Sequence, residues 1–525
     1  MPFDVIIVGC GPVGAVAANL LGRKGLAVLV IEQELEQHPL PRAVHLDHEA
    51  MRLLQAAGVV ARVAPDMREA EGHLHVGADR GVIRYMGTAG RPKPFGWAND
   101  YFFYQPEFED HLRGALATYA NVELRFGATF EALVQDEDGV TVSVRTAEGP
   151  ESFRAGWVIA CDGSRSAVRK QIGVALEDLD FDEPWLVVDV EADGPVRFPD
   201  LNDVPEHANL QRLSVMMCDP RRPTTVVPGR GDHRRWEFML LPGEDDQAMM
   251  APAVVAGLLE PYLSGVPHRI VRAATYRFHG LIAERWQVGR VFLAGDAAHQ
   301  TPPFFGQGMC HGLRDAANLA WKLELMVRNA APAALMATYQ PERDAHVRQV
   351  ISAAIEAGRY ICMLDPAAAS ARDRQMRAQA GATQTAADLI PPIRGGVVAA
   401  GTPGAGERFI QPWVQTPAGA VLLDDVCDGW RLFAADGVTA GQARSRAGGV
   451  GHGLAIQVVA ADTLEDGGAV AAWLKARGAA GVLVRPDFYV FGGAADAGGV
   501  ECLIDQLADQ LFADHALRAE NVACA

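Results

Sequence analysis

Asp4-Val-Ile-Ile-Val-Gly9-Cys-Gly11-Pro-Val-Gly14 stands near the start of the chain and decides how its first domain folds. Residues 4–8 are a short apolar run rich in β-branched side chains, residues 14–24 carry small and apolar residues at helical spacing, and residues 27–31 are apolar again and end at Glu32. Strand, helix and strand make the first crossover of a parallel sheet. In Gly9-x-Gly11-x-x-Gly14 the first glycine permits a tight turn, the second lets the backbone approach a pyrophosphate, and the third lets helix and strand pack closely. The helix N-terminus adds free N–H groups and about half a positive charge. Glu32, 18 residues after Gly14, stands where an acid bonds ribose hydroxyls and disfavours a 2′-phosphate. A dinucleotide site is therefore expected on Gly9, Gly11, Gly14 and Glu32.

Two later segments support it. Residues 157–160 read as a buried strand that delivers Cys161-Asp162-Gly163-Ser-Arg-Ser166-Ala-Val-Arg169. Residues 291–294 read as another, ending in Gly295-Asp296 and followed by Pro302-Pro303-Phe-Phe-Gly306-Gln-Gly308-Met309. A strand ending in Gly-Asp places a carboxylate at the sheet edge where α/β folds bind ligands, within reach of a flavin's ribityl chain. Gly306 and Gly308 let main-chain N–H groups approach the ring. The helix that follows would stabilise negative charge on a reduced flavin by roughly 0.3–2 kcal/mol.

The rest of the chain is consistent with a multidomain cytoplasmic protein. It has 525 residues, 49% hydrophobic, with a net charge of −18, which argues against a nucleic-acid partner. The apolar stretch 5–22 has no basic segment before it and is broken by glycines, a proline and an asparagine, so it reads as neither signal peptide nor membrane span. Cys10, Cys161, Cys218, Cys310, Cys362, Cys427, Cys502 and Cys524 form no C-x-x-C pair and no metal cluster, so no metal site is expected. Residues 106–119 read as a helix and residues 140–144 as a half-buried strand. Residues 176–275 read as an antiparallel sheet inserted in the first domain. The Ala-rich residues 367–387 read as a helix or a connection, and a separate small α/β unit follows residue 395, with strands at 454–459, 481–484 and 488–491 and helices near 468–477 and 499–512.

Together the motifs resemble the group A flavoprotein aromatic hydroxylases, the p-hydroxybenzoate hydroxylase family. Pro41-Arg42-Ala43 with Asp47-x-Glu49-Ala-x-Arg52, Cys218-Asp219-Pro220, Arg235-Trp-Glu237-Phe-Met-Leu-Leu-Pro-Gly243 and Arg314-Asp315-Ala-x-Asn318 are similar to the branch acting on 3-(3-hydroxyphenyl)propionate. The resemblance implies an α/β fold: a Rossmann-like FAD-binding domain (1–175 and 276–395), an inserted antiparallel-sheet substrate domain (176–275), and a C-terminal thioredoxin-like domain (396–525) without C-x-x-C. It implies FAD, with NADH or NADPH as co-substrate, and hydroxylation of a phenol ortho to its hydroxyl through a flavin C4a-hydroperoxide. It adds Arg42, Gln105, Asp162, Gly163, Arg169, Gly295, Asp296, Pro302, Gly306, Gly308 and Met309 to the cofactor site. The expected partners are a small phenol and O₂, with a homodimer as the candidate assembly and no membrane.

Site expectations beyond the flavin rest on less. His48 and Tyr104 are ionisable groups expected near the flavin face, where they would help deprotonate a phenol, and Pro303 belongs to the wall that excludes water. In residues 235–241 alternate side chains share a face, so Trp236 and Phe238, with Met216 from a neighbouring strand, are the expected substrate contacts; core packing is the competing reading for each. Other phenols (resorcinol, hydroxybenzoate, a polycyclic polyketide) stay open as substrates. A flavin-dependent halogenase lacks its Trp-x-Trp-x-Ile-Pro signature here, and a nonenzymatic nucleotide sensor would not need the Gly-Asp motif.

Overall fold

A computed structural model of the chain describes residues 2–512, apart from 37–38, 199, 330 and 380–388. Cys524 and residues 380–387 of the Ala-rich stretch lie outside the described residues; residues before them form the helix Pro366–Ala378. Phe3–Val8 is the inner strand of a parallel sheet, between Val28–Glu32 and Gly149–Ala160. Val122–Phe126 and Val291–Leu293 flank them, also parallel. Both faces of this sheet are covered, which is why Val5, Ile6 and Ile7 read as one unbroken apolar run and are wholly buried. The helix Pro12–Arg23 makes the crossover and packs beside the long helix Gly308–Asn329. Thr129–Gln135 and Val140–Thr146 extend the sheet as an antiparallel flap.

The second sheet has eight strands in the order His299–Gln300, His268–Ala283, Leu176–Ala192, His233–Met239, Thr224–Val227, Ser214–Met217, Gly72–Val76 and Val82–Gly87. It therefore reaches beyond residues 176–275. Two strands come from 72–87, because Gly72–Val76 pairs in parallel with Ser214–Met217, a contact too distant in sequence to be read from pattern. One face is a dry core: Leu74, Leu186, Val188, Val215, Val226, Trp236 and Phe238 pack with Val255, Leu259 and Tyr262 of the helix Pro252–Leu263. The other face turns toward the first sheet.

Residues 430–512 form a four-stranded sheet, order Ile456–Ala460, Trp430–Ala434, Gly481–Val484, Val490–Ala494, with the first pair parallel and the others antiparallel. With the helices Gly437–Gly448 and Ala497–Phe512 this is the thioredoxin-like arrangement. The seven described cysteines are free thiols. The domain is docked by charge as well as packing. Arg485 donates to Glu342 (2.6 Å), Trp321 Nε1 and Asn318 donate to Asp487 (3.0 and 3.3 Å), and Arg52 donates to Asp424 (2.5 and 3.0 Å). Among the described residues no helix is long and apolar enough to cross a membrane.

Candidate active site

The Gly-rich loop is built as its spacing requires. Gly9 has φ +97°, and a Cβ there would stand 2.5 Å from the Cys161 carbonyl oxygen; a Cβ on Gly14 would stand 2.0 Å from the Gly9 oxygen. Only hydrogen fits at either position. A Cβ on Gly11 would meet no protein atom within 4 Å, so this glycine leaves open space where a pyrophosphate needs it. Glu32 closes the loop by accepting from the Cys10 N–H (2.7 Å), and its other oxygen accepts from the Glu34 N–H (3.0 Å).

Asp162 ends its strand with one oxygen accepting from the Val168 N–H (3.0 Å) and the other buried without a partner. Burial outweighs these hydrogen bonds and raises its pKa. Such an unpaired buried acceptor is the kind of group a bound ligand satisfies. Arg169 stands behind it, donating to the carbonyls of Ala297 (3.0 Å) and Ser164 (3.1 Å), so it ties the Asp-Gly loop to the Gly-Asp loop. Gly295 and Gly306 both adopt positive φ (60° and 62°), and a Cβ on Gly306 would stand 2.4 Å from His45 Nδ1. Gln105 accepts from the Arg42 and Ala43 N–H groups (2.8 and 2.6 Å) and donates to Glu109 (2.6 Å), which fixes the 42–43 backbone at the wall.

These groups converge on one cavity of about 1140 Å³ between the two sheets. This exceeds the 300–1,000 Å³ usual for a single drug-sized ligand, in keeping with a dinucleotide plus a ring. Gly9, Gly11, Glu32, Arg42, Gln105, Asp162, Gly163, Asp296, Pro303, Gly306, Gly308, Met309 and Met216 line it. Gly14, Arg169, Gly295 and Pro302 do not, and three of them act from behind: Gly14 and Gly295 in the tight packing of their loops and Arg169 through its carbonyl bonds.

Four expected side chains lie elsewhere. The alternation along His233–Met239 is present, but the faces are reversed: Arg235 and Glu237 line the cavity, whereas Trp236 and Phe238 fill the core against Tyr262. The apolar pair is needed to bury the sheet against its helix, which leaves the polar pair for the site. His48 is buried off the cavity, with Nδ1 on Asn99 (3.0 Å) and its ring 4.4 Å from Phe95. Burial, then the nearby Arg408, bring its pKa down to about 4. Tyr104 caps the helix Gln105–Leu116 with its ring 5.4 Å from His233, also outside the cavity lining.

Pattern reading also missed Arg235 and Glu237, which face the cavity, and Arg272, which supports its wall without lining it. Arg235 donates to Asp189 (2.8 Å) and to the carbonyls of Pro41 (2.7 Å) and Arg42 (2.6 Å), and Arg272 donates to Pro41 (2.9 Å). The inserted sheet thus grips the 41–42 segment. Glu237 is raised to about 7, chiefly by burial. Its row across the sheet runs through Thr225, whose hydroxyl has no partner, to Met216. His45 and His73 complete the wall. The motif residues Asp47, Glu49 and Arg314 form a buried ion network below it, Arg314 donating to Asp47 (2.5 Å) and Glu49 (2.9 Å).

Comparison with known proteins places this geometry. Residues 2–354 match the FAD binding domain family, and residues 406–510 match the HcaD C-terminal domain. The chain is 36% identical over 518 residues to a probable NADH-specific resorcinol 4-hydroxylase of Rhodococcus jostii (strain RHA1), covering 96% of this chain and 94% of that one. It is 36% identical over 530 residues to a 3-(3-hydroxy-phenyl)propionate/3-hydroxycinnamic acid hydroxylase of Burkholderia cenocepacia (strain HI2424), covering 95% and 94%. Among solved structures, OxyS anhydrotetracycline hydroxylase from Streptomyces rimosus superposes with a TM-score of 0.74 at 26% identity, covering 98% of this chain and 99% of that one. Aklavinone-11 hydroxylase with FAD and aklavinone shares the fold, with a TM-score of 0.77 at 24% identity over 97% and 99%. The chain belongs to the FAD-binding family of group A aromatic hydroxylases: it is an FAD-dependent aromatic monooxygenase that uses NAD(P)H as co-substrate.

Proposed function

We propose that this monooxygenase hydroxylates a phenol ortho to its hydroxyl, on a ring carrying a second substituent in the meta position, as in 3-(3-hydroxyphenyl)propionate. The observation that carries the reading is the single cavity joining the glycine cradle to the polar face of the inserted sheet. Its size and its two-sided lining suit a ring held between them.

The residues divide the work. Gly9, Gly11 and the N-terminus of Pro12–Arg23 would hold the pyrophosphate, Glu32 a ribose, and Arg42, Asp162 and Asp296 the polar groups between the pyrophosphate and the ring. Gly306 and Gly308, at the start of the helix Gly308–Asn329, would hold the polar edge of the isoalloxazine. A flavin held there would supply hydride acceptance from NAD(P)H and the activation of O₂ needed to put one oxygen atom on the ring. Pro303 and Phe304 form the dry wall: Phe304 packs edge-on against Phe181, Trp185 and Phe278 at 5.8–6.1 Å between centroids. Excluding water there keeps activated oxygen for the ring.

A resorcinol-like diphenol is the second reading, and a specific observation favours it. Arg235, which lines the sheet side of the cavity, is already bonded to Asp189 and to main-chain carbonyls, as is Arg272 outside the lining, and Glu237 adds an acid. Among the described residues lining the sheet side of the cavity, a substrate carboxylate therefore meets no cation left uncommitted. The test is NADH and NADPH oxidation in air with each phenol, assaying hydroxylated product and H₂O₂ separately. Product from either meta-substituted phenol supports the reading. Stimulated oxidation with H₂O₂ alone from both would overturn it.

A further inference from the structure

Three buried polar side chains at the sheet-side wall have no task in this scheme: His45, His73 and Asp100. They come from three strands, His45–Asp47, Gly72–Val76 and Asp100–Phe102, the first and last paired antiparallel. One ring nitrogen from each histidine and one Asp100 oxygen lie within 4.8 Å of one another. His45 Nε2 is 3.0 Å from an Asp100 oxygen, and the His45 and His73 rings are 5.7 Å apart. His45 Nδ1 and both nitrogens of His73 are buried without a hydrogen-bond partner, a costly state unless something completes them. His45, His73 and Gly306 all line the cavity, and the missing side chain at Gly306 is what leaves room beside Nδ1.

We propose that His45, held by Asp100, takes up the phenolic proton of the substrate, with His73 as the neutral hydrogen-bonding group beside it. This rests on the phenol-hydroxylase reading above. Asp100 fixes the tautomer by accepting from Nε2–H, which leaves the Nδ1 lone pair as the acceptor. The proton moves from the phenol oxygen to Nδ1, and the electron pair stays on the oxygen as a phenolate that activates the ring. Asp100 stabilises the imidazolium; when the hydroxylated ring regains its aromatic form, the hydroxylated carbon loses its own proton to solvent and the proton on His45 returns to the phenol oxygen. Asp100 is a positioning residue in this scheme. Burial alone lowers the pKa of His45, but the hydrogen bond and charge of Asp100, with Asp47 on its own strand and the Gly306 backbone beside the ring, leave it raised. Burial, then His45, hold His73 at about 4, with Arg84 acting in the same direction and Asp100 against it.

The test compares His45→Asn, Asp100→Asn and His73→Phe as holoenzymes whose bound flavin is first quantified by visible absorbance. The expected result for His45→Asn is a roughly 10²-fold loss of product turnover, the usual share of a positioned base, while NAD(P)H oxidation continues as H₂O₂. The loss shrinks for phenols of low pKa and as the pH approaches that of the phenol itself. Asp100→Asn moves the acidic limb of the wild-type pH profile to lower pH, because His45 loses its partner. A fully flavinylated His45→Asn enzyme that keeps the wild-type rate and acidic limb would overturn the proposal. An equal loss for all phenols at every pH would also overturn it, by marking a purely structural role. Failure of the wild-type enzyme to hydroxylate any phenol would instead remove the parent reading.

Discussion

Asp189→Asn tests whether the inserted sheet holds the cavity wall through charge. Asp189 is fully buried and accepts from Arg235 Nε (2.8 Å) and Nη2 (3.1 Å) and from His233 Nε2 (2.9 Å), with Arg272 Nε at 3.3 Å. Removing one partner of a buried ion pair costs about 3–5 kcal/mol. The carbonyl bonds that Arg235 and Arg272 keep to Pro41 and Arg42 place the expectation at the low end, about 3 kcal/mol. Titration gives a second figure. Burial by itself would raise the pKa of Asp189, but Arg235 and His233 bring it down to about 2. Against about 3.9 in an unfolded chain, at 1.36 kcal/mol per unit, that is on the order of 2–3 kcal/mol. The folded pKa is depressed, so this stability is present above about pH 4 and is lost as the pH falls through 2. Urea unfolding at pH 7 of wild type and variant, and of both between pH 5 and 2, reads the two figures. A loss under about 1 kcal/mol at pH 7, with parallel pH dependence of the two proteins, would refute the reasoning.

Gly14→Ala should yield protein with little bound flavin, because its Cβ would stand 2.0 Å from the Gly9 oxygen. Gly11→Ala, with no protein atom within 4 Å of its Cβ, should fold with an unchanged melting temperature yet bind FAD about tenfold or more weakly, the value of one good hydrogen bond to a charged group. For Glu237, with its pKa near 7, the KM for a carboxylate-bearing phenol should rise between pH 6 and 8 as the acid ionises, while that for resorcinol should not; Glu237→Gln should abolish the difference. Arg485→Met leaves the buried carboxylates of Glu342 and Asp487 without their shared partner (2.6 and 2.7 Å). It should cost about 3–5 kcal/mol in denaturant unfolding and open the 395–406 link to limited proteolysis.

What could be read from sequence follows the range of the interactions. Gly9, Gly11 and Gly14 answer to a turn, a helix start and a close approach, all within a few residues, so their spacing alone identifies the cradle. Asp162 and Asp296 each end a buried strand, and a parallel sheet puts such ends on one edge. Alternation in His233–Met239 was legible because a strand has period two; which face looked at the cavity was not, since that depends on the helix Pro252–Leu263 covering the other side. The aromatic pair does not reach the site because the apolar face is committed to the core. Pattern reading singled out His48 and passed over His45, three residues away, because nothing local marks the latter. The distinction lies in Asp100 and His73, brought in by long-range strand pairing. Strands 72–87 escaped the inserted sheet for the same reason. The burial of Arg485 and Asp487 against the helices Gly308–Asn329 and Tyr339–Ile361 could not be read locally either.

The most direct test of the central claim is a reaction under ¹⁸O₂ with NAD(P)H and each meta-substituted phenol, following label in the ring product against NAD(P)H consumed. The account predicts one labelled oxygen per hydroxylated ring, placed ortho to the original hydroxyl, with product matching the greater part of the NAD(P)H oxidised. Oxidation that sends all of the label to H₂O₂ with every phenol offered would contradict it.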